Sequence, residues 1–219
     1  MISFDVLGQK VAIYAGTQIP VKYDIGFEYK ISPKISANFN IGILTKPYDE
    51  AILGILEEFG VSQPYIKMIG NTFKIGIVGD LGVRYHYKKN YFGIYGQNIY
   101  LFAQTSPTDQ VERNLNIKIT RNITFGNRTA PQLDLKSNLW QMGLLYGRRF
   151  ELKNPKYEFK AELALSANLT STSKMYLDGI ENAKLSELID SELKPVYKDY
   201  AYLPSLNVYF VYKFLQKNR

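Results

Sequence analysis

From Val21 to Ile31 the odd positions are Val21, Tyr23, Ile25, Phe27, Tyr29 and Ile31, all apolar or aromatic, and the even ones are Lys22, Asp24, Gly26, Glu28 and Lys30, all charged or glycine. A period of two puts neighbouring side chains on opposite faces, so this segment is predicted to be a β-strand with one greasy and one charged face. The alternation recurs and predicts eight strands, at about Lys10–Thr17, Val21–Ile31, Ile35–Leu44, Phe73–Lys88, Tyr91–Gln104, Leu139–Leu152, Tyr157–Ser171 and Ser205–Phe214. In the fourth, Ile75, Ile77, Leu81, Val83 and Tyr85 oppose Gly76, Asp80, Gly82, Arg84 and His86. In the fifth, Phe92, Ile94, Tyr100 and Phe102 mark the apolar face.

The connections alternate in length. Ser32-Pro33-Lys34, Lys89-Asn90 and Asn154-Pro155-Lys156 read as tight turns, whereas residues 45–71, 105–137 and 172–203 are long connections. Strands joined by short polar turns pair as antiparallel hairpins, so long loops gather at one end and tight turns at the other. Asp49 and Glu50 ahead of Ala51, Ile52, Leu53, Ile55, Leu56 and Phe59, with Gly60 after them, predict a short helix. Residues 180–193 predict another, with Leu185, Leu188 and Ile189 on one stripe. Each is expected to bury its stripe over the barrel mouth, the other reading being a surface for a partner. Leu115, Ile117 and Ile119 alternate within the middle loop and predict a continuing hairpin.

Composition narrows the class. The chain has 219 residues, 46% hydrophobic and 21% charged, with 18 tyrosines, 12 phenylalanines, one tryptophan and no cysteine. Disulfides and thiolate metal sites are thereby excluded. No apolar run approaches the roughly 18 residues of a spanning helix, so a membrane reading has to be a β reading. Net charge is +7, but the cations are spread through strands and turns without an arginine-rich run, which argues against nucleic acid. The N-terminus, Met1-Ile-Ser-Phe-Asp, shows no signal peptide; an exported chain would have lost it, and Met1 would then be an added start residue.

Which face points inward decides the function, because a soluble lipocalin-like barrel has the same strands turned inside out. Glycines concentrate on the polar face (Gly16, Gly26, Gly42, Gly76, Gly82, Gly143, Gly147), as a narrow eight-stranded interior requires. That face also carries both charge signs: Asp24, Glu28, Asp80, Arg84, Arg149, Glu158, Lys160 and Glu162 are expected to form a paired network along the axis. Aromatics gather beside the tight turns, including Tyr29, Tyr85, Tyr87, Tyr91, Phe92, Phe150, Tyr157, Phe159, Tyr212 and Phe214, in the manner of an interfacial girdle. The expected fold is all-β, an eight-stranded antiparallel up-and-down transmembrane barrel in one domain, with the apolar face outward.

In this pattern the chain resembles the small eight-stranded outer-membrane barrels of the OmpA/OmpX kind, in the wider outer membrane protein beta-barrel domain group. In the last strand Asn207, Tyr212 and Phe214 resemble the signal that barrel-assembly machinery reads in such families, with Tyr209 at the usual glycine and Leu215 to Arg219 beyond the usual end. The resemblance implies insertion by that machinery into the outer membrane of a Gram-negative bacterium, with short periplasmic turns and long extracellular loops.

Candidate chemistry is sparse. His86 is the one histidine and lies on the polar face, with no Gly-x-Ser-x-Gly elbow and no serine evidently paired with it. A metal site would need oxygen ligands alone. Asn122, Asn127 and Asn168 open Asn-x-Thr sequences, which are common by chance. Neither a catalytic residue nor a cofactor is expected. The favoured function is a non-enzymatic membrane anchor or accessory subunit that meets other outer-membrane proteins through loops 45–71, 105–137 and 172–203, or stabilises the membrane. A soluble ligand-binding barrel and a lipid-A-modifying enzyme are the alternatives.

Overall fold

A computed structural model describes residues 11–58, 73–106, 133–177, 179–200 and 204–214. The expected hairpin at Leu115–Ile119, the residues Phe59 and Gly60, the Asn122 and Asn127 sequences, Met1 and the tail Leu215–Arg219 lie outside them. The strands are β1 (Val11–Ile19), β2 (Lys22–Lys30), β3 (Ile35–Leu44), β4 (Phe73–Tyr87), β5 (Asn90–Ser106), β6 (Leu133–Glu151), β7 (Tyr157–Leu177), the two-residue β8 (Ile180–Glu181) and β9 (Pro204–Lys213). Helix α1 (Tyr48–Glu58) follows β3, and α2 (Ala183–Tyr200) follows β8. Each long strand pairs antiparallel with its neighbour, and β9 closes the ring between β1 and β7. The result is a closed eight-stranded barrel, with β8 a small appendage on β7.

The wall is uneven. β9, β1, β2 and β3 have 9 or 10 residues, whereas β4, β5, β6 and β7 have 15, 17, 19 and 21. At about 3.3 Å per residue a ten-residue strand tilted by about 40° rises some 25 Å, the height of a bilayer's apolar layer. The short wall spans that layer and stops. The tall wall continues beyond it at the loop end.

Expected loops are therefore partly strand. β5 runs to Ser106, β6 begins at Leu133 and β7 reaches Leu177, so residues 105–106, 133–137 and 172–177 belong to the sheet. In β7 the physical cause of the early predicted end is a bulge, for Trp140 pairs with Thr170 and Gln141 with Asn168. Leu169 and Thr170 are both exposed and the parity then inverts: Glu158, Lys160, Glu162 and Ser166 point inward before the bulge, Ser171, Ser173 and Met175 after it. A period-two reading ends where its phase breaks.

Two further expectations need correction. Val21 does not join the outer face; it turns inward with Lys22 beside the β1–β2 turn. Tyr91 is not part of the girdle but fully buried inside the barrel, because Asn90 and Tyr91 already follow the β5 parity set by Tyr95 and Gln97. Both helices also differ in extent. α1 begins at Tyr48, and α2 begins only after Asn182, whose side chain accepts from the Leu185 amide at 3.1 Å as an N-cap, then runs through Pro195 to Tyr200. Leu188 is exposed, off the buried stripe of Leu185, Ile189 and Leu193.

Candidate functional site

The interior is a stack of layers. Nearest the tight turns Lys160 Nζ lies 2.5 Å from Glu28 Oε2 and 3.8 Å from Glu158 Oε1, and Lys213 Nζ lies 2.5 Å from Glu158 Oε2. Above them Arg84 bridges two carboxylates, Nη1 to Glu28 at 3.1 Å and Nη2 to Glu162 at 2.6 Å. Its guanidinium sits 5.4 Å from the Tyr91 ring centre and 5.7 Å from that of Tyr14. Tyr91 donates to Glu162 Oε1 at 2.8 Å and Asn207 Nδ2 donates to its other oxygen at 3.0 Å. Higher again, Lys22 donates to Asp80 and lies 3.1 Å from Asp24, while Asn40 Nδ2 donates to Asp80 Oδ1 at 2.5 Å. Every carboxylate and cation of this stack except Lys213 is buried. Without partners each would cost several kcal/mol; strand pairing brings the charges together from β2, β4, β7 and β9, with Asn40 of β3 and Tyr91 of β5 completing their hydrogen bonds.

Of the eight residues expected along the axis, seven stand in this stack. Arg149 does not: it lies half-buried at the tight-turn rim, where its Nη2 donates to the Lys88 carbonyl at 2.8 Å. Besides Asn40, Asn207 and Lys213, three further members are not among the eight. Lys22 is the shared partner of Asp24 and Asp80, and Tyr91 and Tyr14 face Arg84. The parity of Lys22 is legible in the sequence; its bridging role depends on the register that sets β2 and β4 on either side of β3. Tyr91 reads as outward only because it adjoins a turn. Asn207 points inward to Glu162, while Tyr212 and Phe214 pack edge to face on the outer rim with centres 5.2 Å apart. Tyr209, where the usual signal has glycine, fills the axis beside Tyr14 at 5.0 Å.

The stack is capped at the loop end and filled at mid-height. At the loop end Val21, Leu44, Val78, Ile99 and Leu139 form an apolar layer across the lumen, with Ile52 of α1 and Tyr197 of α2 packed on it. Deeper in, Tyr91 and Tyr95 fill the space over Gly147 and Gly143, where a Cβ would collide with the rings. Between them lies a cavity of about 10 Å³ lined by Asn38, Arg84, Tyr95 and Asn207 among others, the room of one water molecule.

His86 is buried in the lowest layer. Contrary to the expectation that no serine pairs with it, Ser36 Oγ lies 2.7 Å from His86 Nε2, an approach made by the β3–β4 register. Glu28 Oε1 lies 3.8 Å from the same nitrogen, so the carboxylate does not orient the ring through its far side as a nucleophile–base–acid relay requires. Both Ser36 and His86 are closed off from solvent. The described residues hold no cluster of three or more metal-ligating side chains.

Outside, the polarity is reversed. Ile25, Leu81, Ile94, Leu144, Leu163 and Leu165 are each more than half exposed, and so are Tyr87 and Phe92 toward the tight-turn rim. A continuous apolar girdle over a charged, paired interior has acyl chains as its complement. The chain is a membrane-spanning barrel on this ground.

No protein-family model and no curated protein matches the chain. Solved structures similar to it include a major outer membrane protein from Thermus thermophilus, at 11% identity over 93% of this chain and 98% of that one with TM-score 0.48; Acinetobacter baumannii CarO, at 11% over 96% and 100% with 0.40; and Acinetobacter baumannii CarO2, at 8% over 93% and 98% with 0.39.

Proposed function

We propose that this chain is a non-enzymatic outer-membrane barrel of a Gram-negative bacterium, an anchor that holds its tall wall and α2 above the lipid for contact with another membrane protein. The observation that carries this reading is the filled lumen of the described residues: an axis occupied by buried ion pairs, with an apolar layer over it at the loop end, favours an anchor over a pore or a substrate cleft. What is left to act is the projecting surface. Its framework is the part of β6 and β7 beyond the girdle with α2 docked on it, and the contact is proposed to run through segments 45–71, 105–137 and 172–203. Insertion by barrel-assembly machinery through the last strand belongs to the same proposal, with Tyr212 and Phe214 outward and available to it.

Purification from native outer membranes in mild detergent tests the reading. A stoichiometric second protein is expected, lost when α2 is replaced by a short linker. A single species, or ion conductance by the purified barrel in a planar bilayer, would overturn it. A second reading, an enzyme using the Ser36–His86 pair, is tested by Ser36→Ala and His86→Ala: unchanged lipid A composition in both removes it.

A further inference from the structure

The two rims differ in charge. At the tight-turn rim Lys34, Lys88, Lys89, Arg148, Lys153 and Lys156 are all exposed, and Glu151 is the one exposed carboxylate there among the described residues. Glu151 lies 3.4 Å from Lys89; the other five cations have no carboxylate partner among the described residues. At the loop rim the exposed cations Lys46 and Lys174 are paired, to Glu50 at 2.9 Å and to Glu181 at 3.0 Å; the other exposed cations there among the described residues, Lys184, Lys194 and Lys198, share α2 with Glu187, Asp190 and Glu192, and α1 carries Asp49, Glu50, Glu57 and Glu58 with no cation. Among the described residues, therefore, cations outnumber carboxylates at the tight-turn rim, whereas at the loop rim carboxylates offset them.

Arg148 fixes what that end meets. It occupies the outward row of β6 that contains Met142, Leu144, Tyr146 and Phe150, so its guanidinium faces lipid, 5.7 Å from the Phe150 ring centre. A lipid-facing arginine costs about 2–4 kcal/mol at the bilayer midplane and little at its edge, where a phosphate can accept from it in bidentate fashion. Lys88, over the Tyr87 ring at 5.5 Å, takes the same aromatic-backed position on the next hairpin. Unmatched cations directly beyond an aromatic girdle stand at headgroup level.

We propose that the tight-turn rim is a binding surface for anionic glycerophospholipid headgroups, with Arg148, Lys88, Lys153 and Lys156 as its phosphate contacts. The inference rests on the membrane reading and adds the lipid class to it. Clustered cations at a membrane surface each contribute several-fold in affinity for anionic lipid, and the contribution is screened by salt.

The full chain is inserted into vesicles of phosphatidylcholine alone and of phosphatidylcholine with phosphatidylglycerol, and lipid retained on the extracted barrel is counted by native mass spectrometry. Phosphatidylglycerol is expected to be enriched at least threefold over its bulk fraction, falling with salt. The triple variant Arg148→Gln, Lys153→Gln, Lys156→Gln should lose the enrichment while Lys174→Gln, Lys184→Gln, Lys194→Gln keeps it. Equal retention of both lipids by the inserted wild-type barrel overturns the inference and leaves the membrane reading standing. Failure to insert into either vesicle sinks the membrane reading itself. A polyglutamate peptide that displaces the retained phosphatidylglycerol from the extracted barrel at micromolar concentration would assign the rim to an acidic protein instead.

Discussion

Strand β7 carries two opposite designs on one backbone. Below its bulge Leu163, Leu165 and Leu169 face out while Lys160 and Glu162 face in. Above it Thr172 and Lys174 face out while Met175 faces in, against Ile189 and Leu193 of α2. The lower half is greasy outside because its solvent is lipid; the upper half has the ordinary polarity of a water-soluble domain. The bulge at Leu169–Thr170 sits at the boundary, where the strand exchanges one parity for the other. The surroundings, not the strand, decide which face holds the charge. The upper half also has an edge to protect. β9 pairs with β7 only as far as Leu165, and beyond it α2 takes over: Asp190 accepts from the Ser173 amide at 2.7 Å, and Ser186 accepts from the Met175 amide at 2.9 Å. Side chains of a helix thus replace a missing strand.

The comparison predicts separable failures. Arg84→Ala strips Glu28 and Glu162 of their shared partner in the lower half, and should cost about 3–5 kcal/mol. A fall in the urea midpoint of the whole barrel in lipid, with the outer girdle unaltered, is the expected result; a change below about 1 kcal/mol would show that the interior charges are solvated. Ile189→Ala empties a site in the upper half and should cost about 2–5 kcal/mol there alone. Hydrogen exchange would then rise through α2 and β7 above the bulge and stay slow below it. Faster exchange at Lys160 and Glu162 would mean that the two halves unfold as one.

A matched pair of charge insertions sharpens the boundary. Leu163→Arg should cost about 2–4 kcal/mol in a bilayer, whereas Thr172→Arg should stay within about 0.5 kcal/mol, since one site faces acyl chains and the other water. Equal costs at both positions, measured by unfolding in the same vesicles, would erase the distinction drawn from exposure.

Legibility divides along the same line. In the lower half each strand keeps one phase, so alternation reveals the faces, and the mixed charges on the inner row identify seven interior residues. Register is not legible, and with it go Lys22 between Asp24 and Asp80, the Ser36–His86 contact and the burial of Tyr91. In the upper half the pattern misleads, because Leu169 and Thr170 share a face and the inward positions Ser171 and Ser173 are small and polar. Without the bulge, those residues look like a loop. The tall wall therefore escapes a period-two reading, although the apolar repeat of α2 announces part of the helix that docks on it.

The smallest expected effect concerns how the upper half is started. Asn182 ends the β8 appendage and caps α2, its Oδ1 accepting from the Leu185 amide while its carbonyl accepts from the Ser186 amide at 2.9 Å. The same Ser186 then reaches Met175, so the cap sets the phase in which α2 meets the open edge of β7. Asn182→Ala should lower the stability of α2 by about 1 kcal/mol, and Asn182→Asp should restore it. Because Pro204 and Ser205 still pair with β7, the lower barrel should melt unchanged in both variants. If Asn182→Ala lowered the melting of the whole barrel as much as that of the helix, α2 would belong to the membrane-embedded unit and the bulge would mark no boundary in stability.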